Sequence, residues 1–419
     1  MQTHDLIVIG GGPAGLAAAI AAREAGVSDI LILEREEALG GILKQCIHNG
    51  FGLHRFGEEL TGPEYAERFA EKARELNIPY LCGAMVTDIS PDRVLSVCGA
   101  DCGLIQMRAK AIILAMGCRE RPRGALNIPG TRPAGVYSAG AAQRMINIEG
   151  RMPGHEVVIL GSGDIGLIMA RRLTLEGAHV RCVAELMPFS SGLKRNIVQC
   201  LDDFGIPLRL SHTVVEVRGK KRVQAVVIAR VDEMRRPIPG SEEVIPCDTL
   251  LLSVGLLPEN ELSEEAGVCI DPSTRGPRVR ENFECNVPGI FACGNVLHVH
   301  DLVDYVSEEA EAAGRAAASY IMRGAVDTAN TPVNVVAGDN IVGIVPQQID
   351  VARMPDRLTL RFRVQREMRG YRLCVSCGDR LLSSHKKRIM TPGQMEEVIL
   401  DRETLGDGDI KIWAEASAQ

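Results

Sequence analysis

Two segments of the chain repeat one arrangement of glycines and a glutamate, each framed by apolar runs. The shared positions are Gly10, Gly12, Gly15 and Glu34 in the first segment, and Gly161, Gly163, Gly166 and Glu185 in the second. The first glycine and the acid are 24 residues apart in both segments (34 − 10 and 185 − 161). This spacing is typical of a strand, a helix and a second strand that together bind a dinucleotide.

Each glycine of the pattern has a separate physical task. The first permits a tight strand-to-helix turn, the second lets the backbone approach a pyrophosphate, and the third lets the helix pack closely on the strand. The phosphates then meet N–H groups at a helix N-terminus, where the helix dipole favours anions. The closing glutamate accepts hydrogen bonds from ribose hydroxyls. We therefore predict two nucleotide sites in one chain.

The acid of the second segment also predicts which nicotinamide cofactor binds. A carboxylate at Glu185 would repel the 2′-phosphate of NADP(H), and the four residues after it, Leu186 to Phe189, include no arginine to bind that phosphate. Arg181, on the strand itself, is the one residue that tempers this prediction. The sequence thus favours NAD(H).

Composition and charge exclude several classes of protein. The 419 residues carry a net charge of −7 and scattered basic residues, so we expect no nucleic-acid partner. The longest apolar stretches, such as Leu16 to Ala22, are too short to span a bilayer. The sequence begins with a predicted strand and shows no signal segment. The 13 cysteines are an odd number, which does not suit a framework in which every cysteine forms a disulfide. We expect a cytoplasmic protein with reduced thiols and no transmembrane segment.

The periodicity of apolar residues predicts an α/β protein with a further β domain. Buried parallel strands are predicted at Ala111 to Ala115 and at Thr249 to Val254, and a long helix from about Val306 to Met322. From Thr331 onward, as in the stretch Leu358 to Val364, apolar and polar residues alternate. That alternation is typical of half-exposed antiparallel strands. The sequence therefore predicts a small C-terminal β domain.

Together these features resemble the two-dinucleotide-binding flavoproteins of the pyridine nucleotide-disulfide oxidoreductase superfamily, over about residues 1 to 325. The segment Ala115 to Gly117 stands where the family has Ala-Thr-Gly, and Gly289 to Asn295 where it has a strand ending in Gly-Asp. The resemblance implies FAD at the first site, NAD at the second, and two Rossmann-like domains. The implied boundaries are an FAD domain at 1–120 and 259–325, an inserted NAD domain at 121–258, and the β domain at 326–419.

The resemblance also implies which residues contact each cofactor. For FAD they are Gly10, Gly12, Pro13, Ala14, Gly15, Glu34, Arg35, Gly41, Val86, Ala115, Gly117, Gly294, Asn295 and Ser307; for NAD they are Gly161, Gly163, Asp164, Ile165, Gly166, Glu185 and Gly255. Two departures from the family stand out. Asn295 replaces an aspartate, and the family's redox cysteine pairs are missing after Gly40-Gly41 and in the NAD domain. Dithiol chemistry is therefore not expected.

Other stretches are similar to the flavin subunits of multi-subunit dehydrogenases. Gly117 to Pro122, Ile128 to Gly130 and Ser138 to Gln143 resemble the subunits of hydrogen cyanide synthase, sarcosine oxidase and proline dehydrogenase. Gly40 to Gly50 and Asn295 to Asp301 look like a bacterial branch associated with FAD-dependent glycerol-3-phosphate or 2-hydroxy-acid dehydrogenases. The resemblance implies partner subunits, either a flavin dehydrogenase or an iron–sulfur protein or both; a homo-oligomer is a further alternative.

Two residues are candidates for a catalytic role. In this architecture the segment after Gly40-Gly41 passes near the flavin, so Cys46 and His48 could modulate or protonate it. A flavin takes hydride without a protein nucleophile, however, because the cofactor carries the chemistry. The alternative is a buried thiol and a hydrogen-bonded imidazole without a catalytic role.

Metal and iron–sulfur sites are weaker hypotheses. His298 and His300, with Asp301 and Asp304 nearby, could be drawn as a metal site, but a site needs three or four converging groups, and we predict no metal. The pairs Cys374 with Cys377 and Cys98 with Cys102 are each half of a cluster site. An offset of three on a strand also places two thiols on opposite faces.

The sequence therefore predicts an FAD-dependent NAD(H) oxidoreductase. It would be the electron-transfer subunit of a multi-subunit dehydrogenase of glycerol-3-phosphate, 2-hydroxy-acid or amino-acid type, exchanging electrons with a partner flavin or iron–sulfur subunit. Two alternatives stay open: a self-sufficient NADH oxidase or reductase, and a structural flavin-carrying subunit with a vestigial NAD site.

Overall fold

The chain divides into two compact units in a computed structural model that describes residues 1–324, 332–406 and 408–416. The first unit is Met1–Cys118 with Pro258–Gln419, and the second is Arg119–Leu257. The predicted boundary at 325/326 lies outside the described residues, and the finer division into three domains stays a prediction.

The first part of the chain alternates strands and helices. Its elements are β1 (Gln2–Ile9), α1 (Pro13–Glu24), β2 (Ile30–Leu33), β3 (Asn49–Phe51), β4 (Leu60–Thr61), α2 (Gly62–Glu75), β5 (Tyr80–Leu81), β6 (Ala84–Ile89), β7 (Val94–Gly99) and β8 (Gly103–Leu114). Helix α2 begins with a capping box, in which Thr61 and Glu64 satisfy each other's backbone N–H groups. The apolar runs of β1 and β2 become buried strands, as parallel pairing requires.

The second unit contains a parallel sheet and a smaller antiparallel one. The elements of this stretch are β9 (Cys118–Glu120), β10 (Val136–Ser138), α3 (Ala139–Asn147), β11 (Glu156–Leu160), α4 (Asp164–Leu175), β12 (His179–Glu185), α5 (Lys194–Cys200), β13 (Leu208–Leu210), β14 (His212–Gly219), β15 (Val223–Arg230), β16 (Glu243–Pro246), β17 (Thr249–Leu252) and β18 (Leu256–Pro258). The parallel sheet has the order β10-β17-β11-β12-β13. The antiparallel sheet has the order β14-β15-β16.

The remainder of the chain returns to the first unit. Its elements are α6 (Glu261–Glu265), β19 (Ile290–Ala292), α7 (Val303–Arg323), β20 (Val333–Ala337), β21 (Ile341–Val345), β22 (Gln348–Ile349), β23 (Arg357–Val364), β24 (Met368–Cys377), β25 (Arg380–Met390), β26 (Glu396–Asp401) and β27 (Ile410–Ala416). Strand β19 pairs in parallel with β8, in a sheet of order β5-β2-β1-β8-β7-β6. The long predicted helix is α7.

Small residues allow the first unit to stack a sheet and two helices closely. Helix α1 is rich in alanine and buried on nearly every side. A Cβ placed on Gly314 of α7 would lie 2.2 Å from the carbonyl oxygen of Ala18 in α1, so the two helix backbones touch at this glycine. Tight contact of this kind holds the N-terminus of α1 at one position above the sheet.

The C-terminal residues form two layers around their own apolar cluster, antiparallel except for the parallel pair of β20 and β27. The layers have the orders β22-β20-β27-β24-β25 and β21-β23-β26, and residues such as Leu360, Phe362 and Ile412 fill the space between them. The predicted strands are present as β23 and β24. Buried and less buried residues largely alternate in β23, with Arg361 as the exception, whereas the predicted alternation is wrong for β24, in which Leu373 to Cys377 are all buried. None of the helices in the described ranges combines the length and the hydropathy that a bilayer crossing needs.

Candidate nucleotide-binding sites

The first glycine pattern forms a tight turn between β1 and α1, and the end of β8 lies against it. Gly10 has a φ of 109°, and a Cβ there would lie 2.4 Å from the carbonyl oxygen of Ala115. A Cβ on Gly15 would lie 1.8 Å from the carbonyl oxygen of Gly10. Gly12 differs, because the nearest atom to its Cβ position is the Gly41 Cα at 3.8 Å. Two of the glycines are thus packed by the protein, and the middle one leaves room for a ligand.

The N-terminus of α1 is suited to an anion. Its first turn, Pro13 to Gly15, carries only uncharged residues, and glycine at the N-cap has no side chain that could cap it. Gly294, at the end of β19, lies beside this turn, since a Cβ there would be 2.7 Å from the Ala14 Cβ. The neighbouring Asn295 side chain accepts a hydrogen bond from the His300 N–H at 3.0 Å. Backbone N–H groups and the helix dipole are therefore available to phosphate oxygens.

Glu34 is held at the C-terminal end of β2 by backbone donors. One of its carboxylate oxygens accepts from the Gly11 N–H at 2.6 Å, and the other from the Glu36 N–H at 2.8 Å. The side chain is buried, so both oxygens are fixed in position. A carboxylate oxygen accepts more than one hydrogen bond, so Glu34 keeps capacity for ribose hydroxyls.

The second glycine pattern repeats this turn in the other unit. A Cβ on Gly161 would lie 2.0 Å from the Ser253 carbonyl oxygen, and one on Gly166 would lie 2.7 Å from the Ser253 Cβ. Gly163 again is the open position, with the nearest atom, Ser253 Oγ, at 3.5 Å from its Cβ position. Glu185 accepts from the Ser162 N–H at 2.8 Å.

The two acids make equivalent contacts. The distance along the chain from Gly11 to Glu34 equals that from Ser162 to Glu185, at 23 residues. Glu185 also accepts from the N–H of Met187, two residues ahead, as Glu34 does from Glu36. The repeat seen in the sequence is therefore a repeat of hydrogen-bond geometry.

The second glycine turn, Gly161 to Gly166, differs from the first, Gly10 to Gly15, because it carries a negative charge. Asp164 opens α4, and its carboxylate accepts from the Leu193 N–H at 2.8 Å and from the Asn196 amide at 2.7 Å. The Ser190 hydroxyl donates to the Ser162 carbonyl oxygen at 3.0 Å, so the segment after β12 lies against the glycine turn. A negative charge at the helix N-terminus opposes binding of a second anion there.

Arg181 does not offset Glu185. The two residues lie four positions apart on β12, about 13 Å at 3.3 Å per residue. The Arg181 guanidinium pairs with the Glu156 carboxylate at 2.6 Å. Arg181, the residue that argued against NAD(H), therefore pairs with Glu156 and not with Glu185.

The other predicted FAD contacts occupy different environments. Arg35 forms a half-exposed ion pair with Glu259 at 3.0 Å, and Val86 is buried in β6. Ser307 is fully buried and its hydroxyl is hydrogen-bonded to Tyr65 at 2.8 Å, so its contact with FAD stays a prediction.

Two glycines and one isoleucine complete the predicted contacts. Gly117 and Gly255 have φ values of 76° and 100°, and a Cβ at either would meet open space among the described residues. Ile165 is half-buried in the first turn of α4. Both glycines therefore leave room for a close backbone approach.

The two catalytic candidates contact neighbouring groups of the protein. The Cys46 thiol donates to the Ile42 carbonyl oxygen at 3.4 Å, and burial raises its pKa to about 12. The His48 ring packs against Phe51 with centroids 5.0 Å apart. A thiol with so high a pKa stays protonated at neutral pH, which disfavours Cys46 as a nucleophile.

A buried cluster beside the first turn includes a residue that sequence reasoning missed. Glu309 of α7 accepts from the Gly294 N–H at 2.8 Å, and its other oxygen lies 2.6 Å from His298 Nε2 and 3.3 Å from His300 Nε2. Burial acts to raise the pKa of Glu309, but His298 and His300 lower it well below the usual range. His298 and His300 lie in a loop, whereas Glu309 lies in a helix eleven residues after His298. No helix or strand periodicity therefore links the three residues in the sequence.

The cysteine pair of the β domain is divided between two environments. Cys374 lies 3.2 Å from the Ser384 hydroxyl, whereas the Cys377 thiol donates to the Gly406 carbonyl oxygen at 3.3 Å. Within the described ranges, His298, His300 and Glu309 are the one grouping of three potential metal ligands. Cys374 and Cys377 thus make separate contacts, and the absence of an iron–sulfur cluster stays a prediction.

The chain is similar to subunits of larger enzymes. An opine oxidase subunit from Agrobacterium tumefaciens is 28% identical over 281 residues, which cover 63% of this chain and 54% of the relative. Hydrogen cyanide synthase subunit HcnB of Pseudomonas protegens is 27% identical over 282 residues, covering 62% of this chain and 58% of the relative. The chain therefore spans little more than half the length of these relatives.

The fold and the family match both agree with the predicted superfamily of two-dinucleotide-binding flavoproteins. Thioredoxin reductase of T. acidophilum superimposes with a TM-score of 0.62 over 77% of this chain and 100% of that one, at 22% identity, a likeness of fold alone. The family model for pyridine nucleotide-disulphide oxidoreductases matches residues 4–320. The predicted α/β fold, with its two Rossmann-like halves, is confirmed. The chain belongs to the pyridine nucleotide-disulphide oxidoreductase family, whose members are FAD-dependent oxidoreductases that bind NAD(P)H.

Proposed function

We propose that the chain transfers electrons between NAD(H) and a partner subunit through FAD, as the electron-transfer subunit of a multi-subunit dehydrogenase. The observation that carries this proposal is the repeated turn geometry, in which Gly11 with Glu34 and Ser162 with Glu185 make the same contact. Two such turns in one chain give two nucleotide sites, and a transfer between two cofactors needs both.

FAD is assigned to the first turn. The N-terminus of α1 binds the pyrophosphate through backbone N–H groups, with Gly12 leaving the space for it, and Glu34 accepts from the ribose. Gly294 and Asn295 lie along the same turn. Bound FAD supplies the hydride and electron chemistry, and the protein supplies orientation and electrostatics.

NAD(H) is assigned to the second turn in preference to NADP(H). Glu185 is buried, and its carboxylate would face the adenosine ribose, where it opposes a 2′-phosphate. Arg181, the basic residue on the same strand, is paired with Glu156. The charge balance around the acid therefore favours the unphosphorylated cofactor.

The relatives support a partner subunit, since their names describe subunits of opine oxidase and hydrogen cyanide synthase. The sequence resemblance of Gly40 to Gly50 and Asn295 to Asp301, together with that to amino-acid dehydrogenase subunits, favours a substrate of glycerol-3-phosphate, 2-hydroxy-acid or amino-acid type, with electrons passing to or from a flavin or iron–sulfur subunit. The thirteen cysteines, all of them in the described ranges, form no disulfide, in keeping with a reducing compartment such as the cytoplasm.

Asp164 favours a second candidate function, in which the second turn is structural and electrons enter from elsewhere. Asp164 places a carboxylate in the first turn of α4, close to where a pyrophosphate would bind, and the segment at Ser190 to Leu193 is hydrogen-bonded to the glycine turn. Such a chain would carry FAD without accepting hydride from a nicotinamide.

An anaerobic titration separates the two candidates. The purified holoprotein is titrated with NADH and separately with NADPH while the flavin absorbance is followed. Stoichiometric bleaching by NADH, at a much lower concentration than NADPH requires, supports the proposed function. Tightly bound FAD that neither nucleotide bleaches would refute it and support the structural alternative. Rapid turnover of the isolated chain with oxygen or a simple quinone would instead identify a self-sufficient oxidase or reductase.

A further inference from the structure

Three potential ligand side chains converge in the interior of the first unit. His298 and His300 come from the loop after β19, and Glu309 comes from the second turn of α7. One imidazole nitrogen of each histidine and a Glu309 carboxylate oxygen lie within 4.8 Å of one another. Their side chains are 5%, 1% and 2% exposed. Polar groups this deeply buried need partners.

The imidazoles lack the partners that burial requires. Among the described residues, neither nitrogen of His300 has a hydrogen-bond partner, and the same holds for His298 Nδ1. An unsatisfied buried polar group costs about 1–3 kcal/mol. His300 Nε2 points to the same carboxylate oxygen that His298 contacts, so a cation between the three groups would satisfy its lone pair.

The two acids close to the histidines in the sequence, Asp301 and Asp304, bind other groups. Asp301 forms an ion pair with Arg363, and Asp304 accepts from the N–H groups of Gly52 and Arg55. Glu309 contacts the two imidazoles and one backbone N–H. The carboxylate available to a cation is therefore Glu309, contributed by a helix rather than by the histidine loop.

We propose that His298, His300 and Glu309 form a binding site for a divalent first-row transition-metal ion, with Zn²⁺ or Fe²⁺ as the best match. Two imidazoles and one carboxylate are a donor set that both ions use, with further positions left open. Metal–ligand bonds of about 2.0–2.2 Å in tetrahedral geometry place ligand atoms roughly 3.3–3.5 Å apart. The distance of 3.3 Å between His300 and Glu309 already matches this separation. The distance of 2.6 Å between His298 and Glu309 would have to increase by less than about 1 Å when an ion binds.

The surroundings support such a site. The Gly294 N–H holds the second oxygen of Glu309, which orients the carboxylate in the way that outer contacts orient metal ligands. Two guanidinium groups lie in this region, and both are paired with other acids: Arg361 pairs with Glu308, and Arg363 donates to the Val299 carbonyl oxygen and pairs with Asp301. Binding of an ion would replace the contact between His298 Nε2 and Glu309, with any proton on that nitrogen lost to solvent.

Metal content of the full-length protein tests the proposal without any assay of activity. The chain is purified without a histidine tag, and its zinc and iron are measured by plasma mass spectrometry. Metal-free protein, prepared with a chelator, is then titrated anaerobically with Co²⁺ and its visible absorbance recorded. The test variant is His300→Gln, and the control is His54→Gln, whose ring stacks on Tyr305 outside the cluster.

The expected result is about one metal ion per chain, or one equivalent of Co²⁺ bound, in the wild type and in His54→Gln. His300→Gln is expected to lose at least tenfold of the metal affinity. Two results would overturn the proposal: wild-type protein that neither carries metal nor binds Co²⁺, or equal binding by wild type and a folded His300→Gln. If His300→Gln does not fold, the two wild-type measurements decide.

Discussion

Replacement of Gly163 by alanine should weaken NADH binding without destabilising the free protein. Gly163 is the N-cap of α4, with φ −66° and ψ 161°, which alanine adopts freely. The new Cβ would lie 3.5 Å from Ser253 Oγ and 3.8 Å from Ser191 Oγ, ordinary van der Waals contacts. We therefore expect the free energy of unfolding to change by at most about 0.5 kcal/mol.

The effect on binding follows from the role of the middle glycine. A methyl group at this position occupies the space through which the backbone approaches the pyrophosphate. Loss of one charge-assisted hydrogen bond costs about 1.5–3 kcal/mol. At about 1.4 kcal/mol per factor of ten, the NADH concentration needed for half-bleaching of the flavin should rise roughly ten- to hundredfold.

Gly166→Ala is the matched control, because it changes the same motif in a packed position. Its Cβ would lie 2.7 Å from the Ser253 Cβ and 2.8 Å from the Gly161 carbonyl oxygen, so the backbone must move. Overpacking of this kind costs about 1–3 kcal/mol and should lower Tm. Both variants are compared by anaerobic titration and by thermal unfolding. A Gly163→Ala protein that retains wild-type NADH affinity would refute the assignment of the second turn.

Three further changes test separate parts of the reasoning. Glu185→Gln removes the charge that opposes a 2′-phosphate, and the ratio of NADPH to NADH half-bleaching concentrations should fall about tenfold; an unchanged ratio would contradict this. Asp164→Asn removes an acid from a helix N-terminus, worth about 0.3–1 kcal/mol, so NADH should bind up to about fivefold more tightly in the same titration, and weaker binding would argue against the repulsion. Cys46→Ser should leave steady-state NADH turnover unchanged, because a thiol with a pKa of about 12 is protonated; a large loss would restore its catalytic role.

Local sequence was sufficient to predict the glycine turns and their acids. The strand, the turn, the helix, the second strand and its acid lie within Gln2 to Glu34 and within Glu156 to Glu185, and each glycine answers a steric demand made by its near neighbours. Gly15, for example, meets the carbonyl oxygen of Gly10 five residues away. The alternation in the C-terminal residues predicted β23 and β24 for the same reason, since period two is a property of the strand itself.

Contacts between distant residues were decided by the tertiary structure. The sequence has Gly10, Ala115 and Gly294 far apart, and only the order of β1, β8 and β19 in one sheet brings them to the same turn. The histidine pair was visible, but its partner Glu309 was not, because a loop and a helix meet there through packing rather than periodicity. Local sequence thus specifies what each segment can bind. The fold decides which segments share a site, because side chains far apart in the chain meet only where the packed sheet and helices bring them together.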